Sequence, residues 1–220
     1  MRIVFDHLGT ISGLRDFCLE FELKQTTVLH DPCEEISHEI LNVLVGLEPI
    51  LEGELRIDGV GFDDYFARRA IPQVFGYVFA EGIMLSNLSL RENLLLPYRW
   101  LNPHKQDSDF EAELKDLMAL FSLNPDMGSR PSLHRPALLK MLSYVRTLLL
   151  KPQILVINDP YYLLNKNERA TMFRVLQGLR EHHVMLIASA DDDFAVGFAD
   201  AVIELGDVCE ESFAGLAAIT

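Results

Sequence analysis

The 220-residue chain has no run approaching the roughly 18 consecutive apolar residues that a membrane-spanning helix requires. Its opening, MRIVFDHLG, lacks the basic and then apolar blocks of a signal peptide, so a cytoplasmic location is expected. Only three cysteines are present, Cys18, Cys33 and Cys209. Far apart and odd in number, they point to reduced thiols rather than a disulfide framework. Positive charge is scarce: 19 Lys and Arg against 33 Asp and Glu give a net charge of -14. That balance argues against a nucleic-acid partner and against direct attraction to anionic lipid. Arg68-Arg69 is a local exception in an otherwise dispersed basic set. No metal-ligand spacing occurs, and no metal site is expected. His182-His183 is adjacent rather than at helical spacing, as at a solvated helix end. Low-complexity segments and tandem repeats are also missing.

What remains is a chain 49% hydrophobic, enough for a sizeable core. RIVFDHLG and DFCLEFEL read as strands, the second alternating apolar and acidic residues as a half-exposed antiparallel strand does. TTVLH, GELRIDG, FGYVFA, QILVIND, VMLIASA and ADAVIELG read as further strands. Helices are expected in EEISHEILNVLVGL, in LSLRENLLLPYRW with a proline break, in FEAELKDLMALFSL, in ALLKMLSYVRTLLLKP and in KNERATMFRVLQGLREHH. Strands alternating with helices predict an α/β fold with a mainly parallel sheet.

One turn stands out. VLHDPCEEISHEILNVLVGL begins as a strand and continues as a helix with apolar Ile36, Ile40, Leu41, Val43, Leu44 and Leu47. Asp31, Glu34 and Glu35 crowd the junction. Acids suit a helix N-terminus, where a carboxylate stabilises exposed amides by about 0.3–1 kcal/mol.

Three stretches carry a family resemblance: LNVLVGLEPILEGELRIDG, FGYVFAEGIMLSNLSLRENLLLP and SYVRTLLLKPQILVINDP. In order and spacing they resemble the ATP-binding subunit of an ABC transporter along nearly the whole chain. The stretch GIMLSNLSLRENLLLP is most similar to the ATPases of mammalian-cell-entry-type lipid transporters. The resemblance implies an ABC-type P-loop NTPase core over residues 1–220. Segments 1–28 and 53–78 would include an N-terminal antiparallel β subdomain, 88–140 a helical insert, and 141–220 the second part of the α/β core.

The family's chemistry is altered at each matching position. An intact phosphate loop reads GxxxxGK[ST], its amides and lysine holding phosphates and its hydroxyl holding magnesium. Here the first glycine falls at Asp31, the next family glycine at Glu34, the last at Ile36, the lysine at Ser37 and the magnesium position at His38. Two unit charges about 4 Å apart interact by about 4 kcal/mol at an effective dielectric of about 20. Three acids near a triphosphate therefore oppose it by several kcal/mol. Glu34 or Glu35 is expected to take the anion site internally, unless the acids form an ordinary helix cap. The glutamine after YVF becomes Ala80. The LSGGQ signature becomes His134, Arg135, Pro136, Ala137 and Leu138, and Pro136, having no amide, would make the signature's helix-opening backbone hard to reproduce. The acidic pair of Walker B becomes Asn158-Asp159, for which a structural role at the strand end is expected, and the switch histidine becomes Ala190. Asp191, Asp192 and Asp193 then read as a solvated turn and helix cap. No aromatic stands at Leu8 to Ile11, where the family stacks adenine, and nearby His7 reads as a lone exposed histidine.

The resulting expectation is a catalytically inactive ABC ATPase-like subunit without cofactor, structural or regulatory in a membrane transport complex, with lipid as the implied cargo. Its expected partners are a membrane permease subunit and either a second copy or another ABC ATPase, with the membrane reached only through the permease at its inner face. Ala80, Ile83, Met84, Leu85 and Leu88, together with Leu90, Tyr98 and Trp100, are candidates for the permease surface, and Tyr161 and Tyr162 for the dimer surface, where aromatics are favoured. Two other readings stay open. In one the chain is a divergent active ATPase with Asp159 as base and Arg135 or Lys140 on phosphate. In the other it is a soluble protein-binding module.

Overall fold

The computed structural model of the chain describes residues 1–33 and 35–205, without the side chain of Glu35. Two sheets organise it. The first is antiparallel, in the order β2 (Phe17–Glu22), β1 (Arg2–Thr10), β4 (Ile50–Ile57), β5 (Val60–Gly61). The second is wholly parallel, in the order β6 (Phe75–Val78), β7 (Ile154–Asn158), β8 (Val184–Ser189), β3 (Thr27–His30), β9 (Ala201–Glu204). A parallel sheet is covered on both faces, and the near-continuous apolar runs ILVI and MLIA meet that requirement. Side chains alternate accordingly. Leu155 and Ile157 join the helical side of the core, while Ile154 and Val156 join the side under the antiparallel sheet.

Between β3 and β4 runs α1 (Glu35–Leu44). Its apolar stripe, Ile36, Ile40, Leu41, Val43 and Leu44, is buried. The helix ends before Leu47, which is exposed because Gly46 turns the chain at φ 71. Two short helices, α2 (Phe62–Phe66) and α3 (Ile71–Val74), lead into β6. On the other face lie α4 (Leu90–Leu101), α5 (Asp107–Leu120) and α6 (Pro136–Leu149). Next come α7 (Lys166–Arg180) and α8 (Asp192–Phe198). Reciprocal caps set two of these starts: Ser89 with Glu92 for α4, Asn165 with Glu168 for α7. Among the described residues no helix is long and apolar enough to cross a membrane.

Three boundaries differ from the sequence expectation. Phe75–Val78 lies within 53–78 yet pairs with β7 in the parallel sheet, so only the earlier strands of that segment are antiparallel. The 140/141 boundary falls inside α6, a single helix from Pro136. Pro97 does not break α4. Its missing amide removes one helical hydrogen bond, but buried Leu94, Leu95 and Tyr98 anchor both sides of it in the core.

Candidate functional site

The strand-to-helix turn after β3 is closed by one carboxylate. Asp31 is fully buried. Its Oδ2 accepts the amide of Ser37 at 2.8 Å and its Oδ1 accepts the amide of Cys33 at 3.1 Å. Ser37 is the third residue of α1, so an internal anion satisfies an amide that a helix start leaves free. Glu34 lies outside the described residues, as does the side chain of Glu35; the carboxylate seen on these amides belongs to Asp31.

Beside the turn lies a cavity of about 180 Å³. Ser37, His38, Ala80, Asn158, Asp159 and Ala190 line it, with Glu81, Tyr162, Ala188 and Ser189. The fold thus gathers residues scattered over 150 positions of sequence, on the ends of β7 and β8 and the start of α1. The lining contains two acids, Glu81 and Asp159, and no lysine or arginine. Asn158 Nδ2 and His38 Nδ1 are hydrogen-bonded to each other at 2.5 Å. The same amide reaches Tyr77 Oη at 3.4 Å, and that hydroxyl donates to Asn42 at 3.1 Å. Burial raises the Tyr77 hydroxyl to about 12, keeping it a neutral donor.

Asp159 adopts φ 37 and uses Oδ1 to accept the amides of Tyr161 (2.9 Å) and Tyr162 (3.1 Å). It organises the turn after β7. Lys140 is fully buried in α6 and donates to the carbonyls of Phe79 (2.7 Å), Asn158 (2.9 Å) and Asp159 (2.8 Å). Burial brings its pKa down to about 7, against the opposing pull of the Asp159 and Glu81 charges. The ammonium ties the ends of β6 and β7 to α6, out of reach of a ligand. Arg135 pairs with Glu168 at 2.9 Å. Pro136 opens α6, because the first helical position needs no amide donor. Ala137 is buried beneath it, Leu138 packs partly buried on the same core, and His134 bonds Ser129.

A second cavity, about 380 Å³, is apolar and lies on the far side of the 79–85 loop. Ile83, Met84 and Leu85 line it, together with Leu47, Ile71, Leu96 and Arg146, which the sequence did not single out as partner-surface candidates. Ile83, Leu85 and Leu96 are each more than half exposed, an apolar patch open to solvent. Asn93 shapes the rim by accepting the Leu85 amide (2.6 Å) and donating to the Leu85 carbonyl (3.0 Å). Arg146 donates to the Ile83 carbonyl at 2.8 Å. The remaining candidates separate. Ala80 and Tyr162 face the smaller cavity. Leu88 is half-buried outside both linings, and Leu90 and Tyr98 belong to the core. Tyr161 stacks edge-on against Phe194, while Trp100 is exposed. Tyr98 turns inward because its ring packs on Phe110.

Asp191 caps α8 through the Phe194 amide at 2.9 Å. Asp192 instead stands 2.9 Å from Nε2 of buried His30, whose Nδ1 meets Glu204 at 2.6 Å. The Glu204 hydrogen bond raises the His30 pKa, against the effect of burial and with added support from both acids' charges. A raised folded-state pKa means the stabilisation is complete below the unfolded value of about 6.5 and is lost as pH rises through the folded value. Melting temperature should therefore fall as pH rises above 6.5. In His30→Gln that slope should flatten, and an unchanged slope would remove His30 as its source.

No protein-family profile matches the chain. Individual relatives do. It is 24% identical over 216 residues to the glutamine transport ATP-binding protein GlnQ of Escherichia coli (strain K12), covering 94% of this chain and 88% of that protein. With the sulfate/thiosulfate import ATP-binding protein CysA of Acinetobacter baylyi it shares 22% identity over 201 residues, covering 90% of this chain. That match spans 56% of the relative's length. Among solved structures, the ATP-binding cassette MJ0796, a dimer bound to ADP and Pi, superposes with a TM-score of 0.78 at 17% identity, covering 94% of this chain and 95% of that one. The structure of cbiO1 from Clostridium perfringens, part of the ABC transporter complex cbiONQ, gives 0.70 at 14% identity, covering 92% and 83%. In sequence the chain is similar to ATP-binding subunits of ABC transporters, and it shares the fold of their cassettes.

Proposed function

We propose that this chain is a subunit of a membrane transport complex that holds no ATP at its first helix and acts there as a structural or regulatory partner. The observation that carries the reading is Asp31: a buried carboxylate already occupies the amide of Ser37 at the start of α1. Magnesium and ATP, the cofactor pair of the relatives, do not fit the residues present. Ser37 stands where the resemblance places the phosphate-binding lysine. The magnesium positions are taken by His38 and Asn158, whose side chains are hydrogen-bonded to each other. Asp159 has one oxygen committed to two turn amides, and Lys140 is spent on three carbonyls. An anion entering the smaller cavity meets Glu81 and Asp159 with no cation to offset them. No hydrolytic step is assigned to these residues.

The apolar groove beside Leu85 is the surface proposed for the permease, and the face carrying Tyr162 the surface proposed for a second cassette. Cargo then follows the permease. The likeness of residues 82–97 to ATPases of lipid transporters supports a lipid, whereas the relatives named above serve glutamine and sulfate or thiosulfate. Calorimetric titration of the purified chain with millimolar Mg-ATP tests the central point. No saturable heat is expected. A saturable isotherm would overturn the reading and restore a divergent ATPase.

A further inference from the structure

The antiparallel sheet holds a group of side chains outside both cavities. β1 loses register with β2 between Phe5 and Leu8, and with β4 between Asp6 and Gly9. His7 sits in that break at φ 50, a left-handed conformation. In a regular strand Asp6 and His7 would point to opposite faces. Here the irregularity brings His7 Nε2 to 4.0 Å from Asp6 Oδ1. Across the ladder, Cys18 Sγ accepts the His7 amide at 3.3 Å. One ligand atom from each of Asp6, His7 and Cys18 lies within 4.8 Å of the other two.

The surrounding groups favour a cation. Asp16 Oδ1 lies 2.5 Å from His7 Nδ1, which holds the ring proton on Nδ1 and leaves the Nε2 lone pair free. A carboxylate behind a histidine in this way orients metal-binding imidazoles generally. Arg56 engages Asp6 Oδ2 at 3.3 Å through the same nitrogen that pairs with Glu54. Oδ1 remains the oxygen nearer His7. Cys18 is a free, exposed thiol and His7 is exposed, so the cluster is reachable from solvent.

We infer that Asp6, His7 and Cys18 form a binding site for a zinc-type divalent cation, with Asp16 as the residue that positions His7. A thiolate, an imidazole and a carboxylate are the donor types of a borderline-soft ion such as zinc, and three protein ligands leave the fourth tetrahedral position for water. Zinc bonds of about 2.0–2.3 Å place tetrahedral ligand atoms roughly 3.5 Å apart. The ligand atoms, now within 4.8 Å of one another, close on the ion by side-chain rotation. Binding replaces the thiol proton, which is released to solvent. No linear motif reveals the site, because its ligands meet through strand pairing rather than sequence spacing.

Cobalt(II) is the probe, added to the full chain with all three cysteines reduced. We expect one ion per chain, a thiolate-to-cobalt charge-transfer band, and loss of that band when zinc is added. Cys18→Ser should abolish the band, whereas Cys33→Ser should keep it. Asp16→Asn should weaken zinc binding by about 10- to 100-fold while leaving the band's shape intact, as a positioning role requires. Zinc should also slow alkylation of Cys18 in the unsubstituted chain, a readout that does not depend on any variant folding. A band that survives Cys18→Ser, the lack of any band at excess cobalt, or alkylation unaffected by zinc would each overturn the assignment.

Discussion

Replacing Lys140 by methionine should lower stability by about 3–5 kcal/mol, the summed cost of taking the donor away from three backbone carbonyls. The reason is local accounting. Its ammonium has three protons and three carbonyl partners, from Phe79, Asn158 and Asp159, and the side chain itself is fully buried. Methionine fills nearly the same volume, so a packing void does not explain the loss. One buried and two partly buried acceptors lose their donor, each costing up to about 1–3 kcal/mol when no relaxation occurs. For a chain of this length the melting temperature should fall by about 10 °C. Gly82 makes the region unforgiving: a Cβ there would stand 2.1 Å from the Leu139 carbonyl carbon, so the loop cannot shift toward α6 to compensate. A melting temperature within experimental error of the parent would show that Lys140 is not the tie between the strand ends and α6.

Asp31→Ala should be the next largest change, about 1–3 kcal/mol, by leaving the Ser37 and Cys33 amides without their acceptor. Asp31→Asn should cost less, since it keeps the shape and one acceptor oxygen while losing the charge that favours a helix N-terminus. Chemical denaturation of the three proteins measures the order. The proposed nucleotide-free state predicts more: Asp31→Ala should still fail to bind Mg-ATP, because Ser37, His38 and Asn158 supply no cation. Equal stability across the series would mean that the carboxylate contributes nothing to the turn.

Much of this site could be read from residue order. The apolar stripe Ile36, Ile40, Leu41, Val43 and Leu44 gave both the helix and its buried face, because helical periodicity is a local property. QILVIND and VMLIASA were legible as buried strands for the same reason. Asp159 was expected to act at the strand end, and its contacts with Tyr161 and Tyr162 are local ones. What escaped was non-local. Lys140 sits on a helix whose spacing says nothing of the three carbonyls brought to it by two strands. Tyr98 resembles its exposed neighbour Trp100 in sequence, but helical geometry sends it toward Phe110 on α5. Pro97 signals a break that tertiary anchoring overrides. His7 and Cys18 meet only because a strand loses register, and neither residue announces a bulge. His7, expected to stand alone, pairs with Asp16.

Asn93 holds the Leu85 backbone from both its amide and its carbonyl, and Arg146 holds the Ile83 carbonyl. The rim of the apolar groove is therefore preorganised before anything arrives. A helix laid into it would surrender little loop entropy on the receiving side, so its affinity would be governed by its own ordering and by the hydrophobic area it covers. Weakening the Asn93 clamp would be felt as a slower, looser encounter even though Asn93 itself is almost wholly buried in the groove wall.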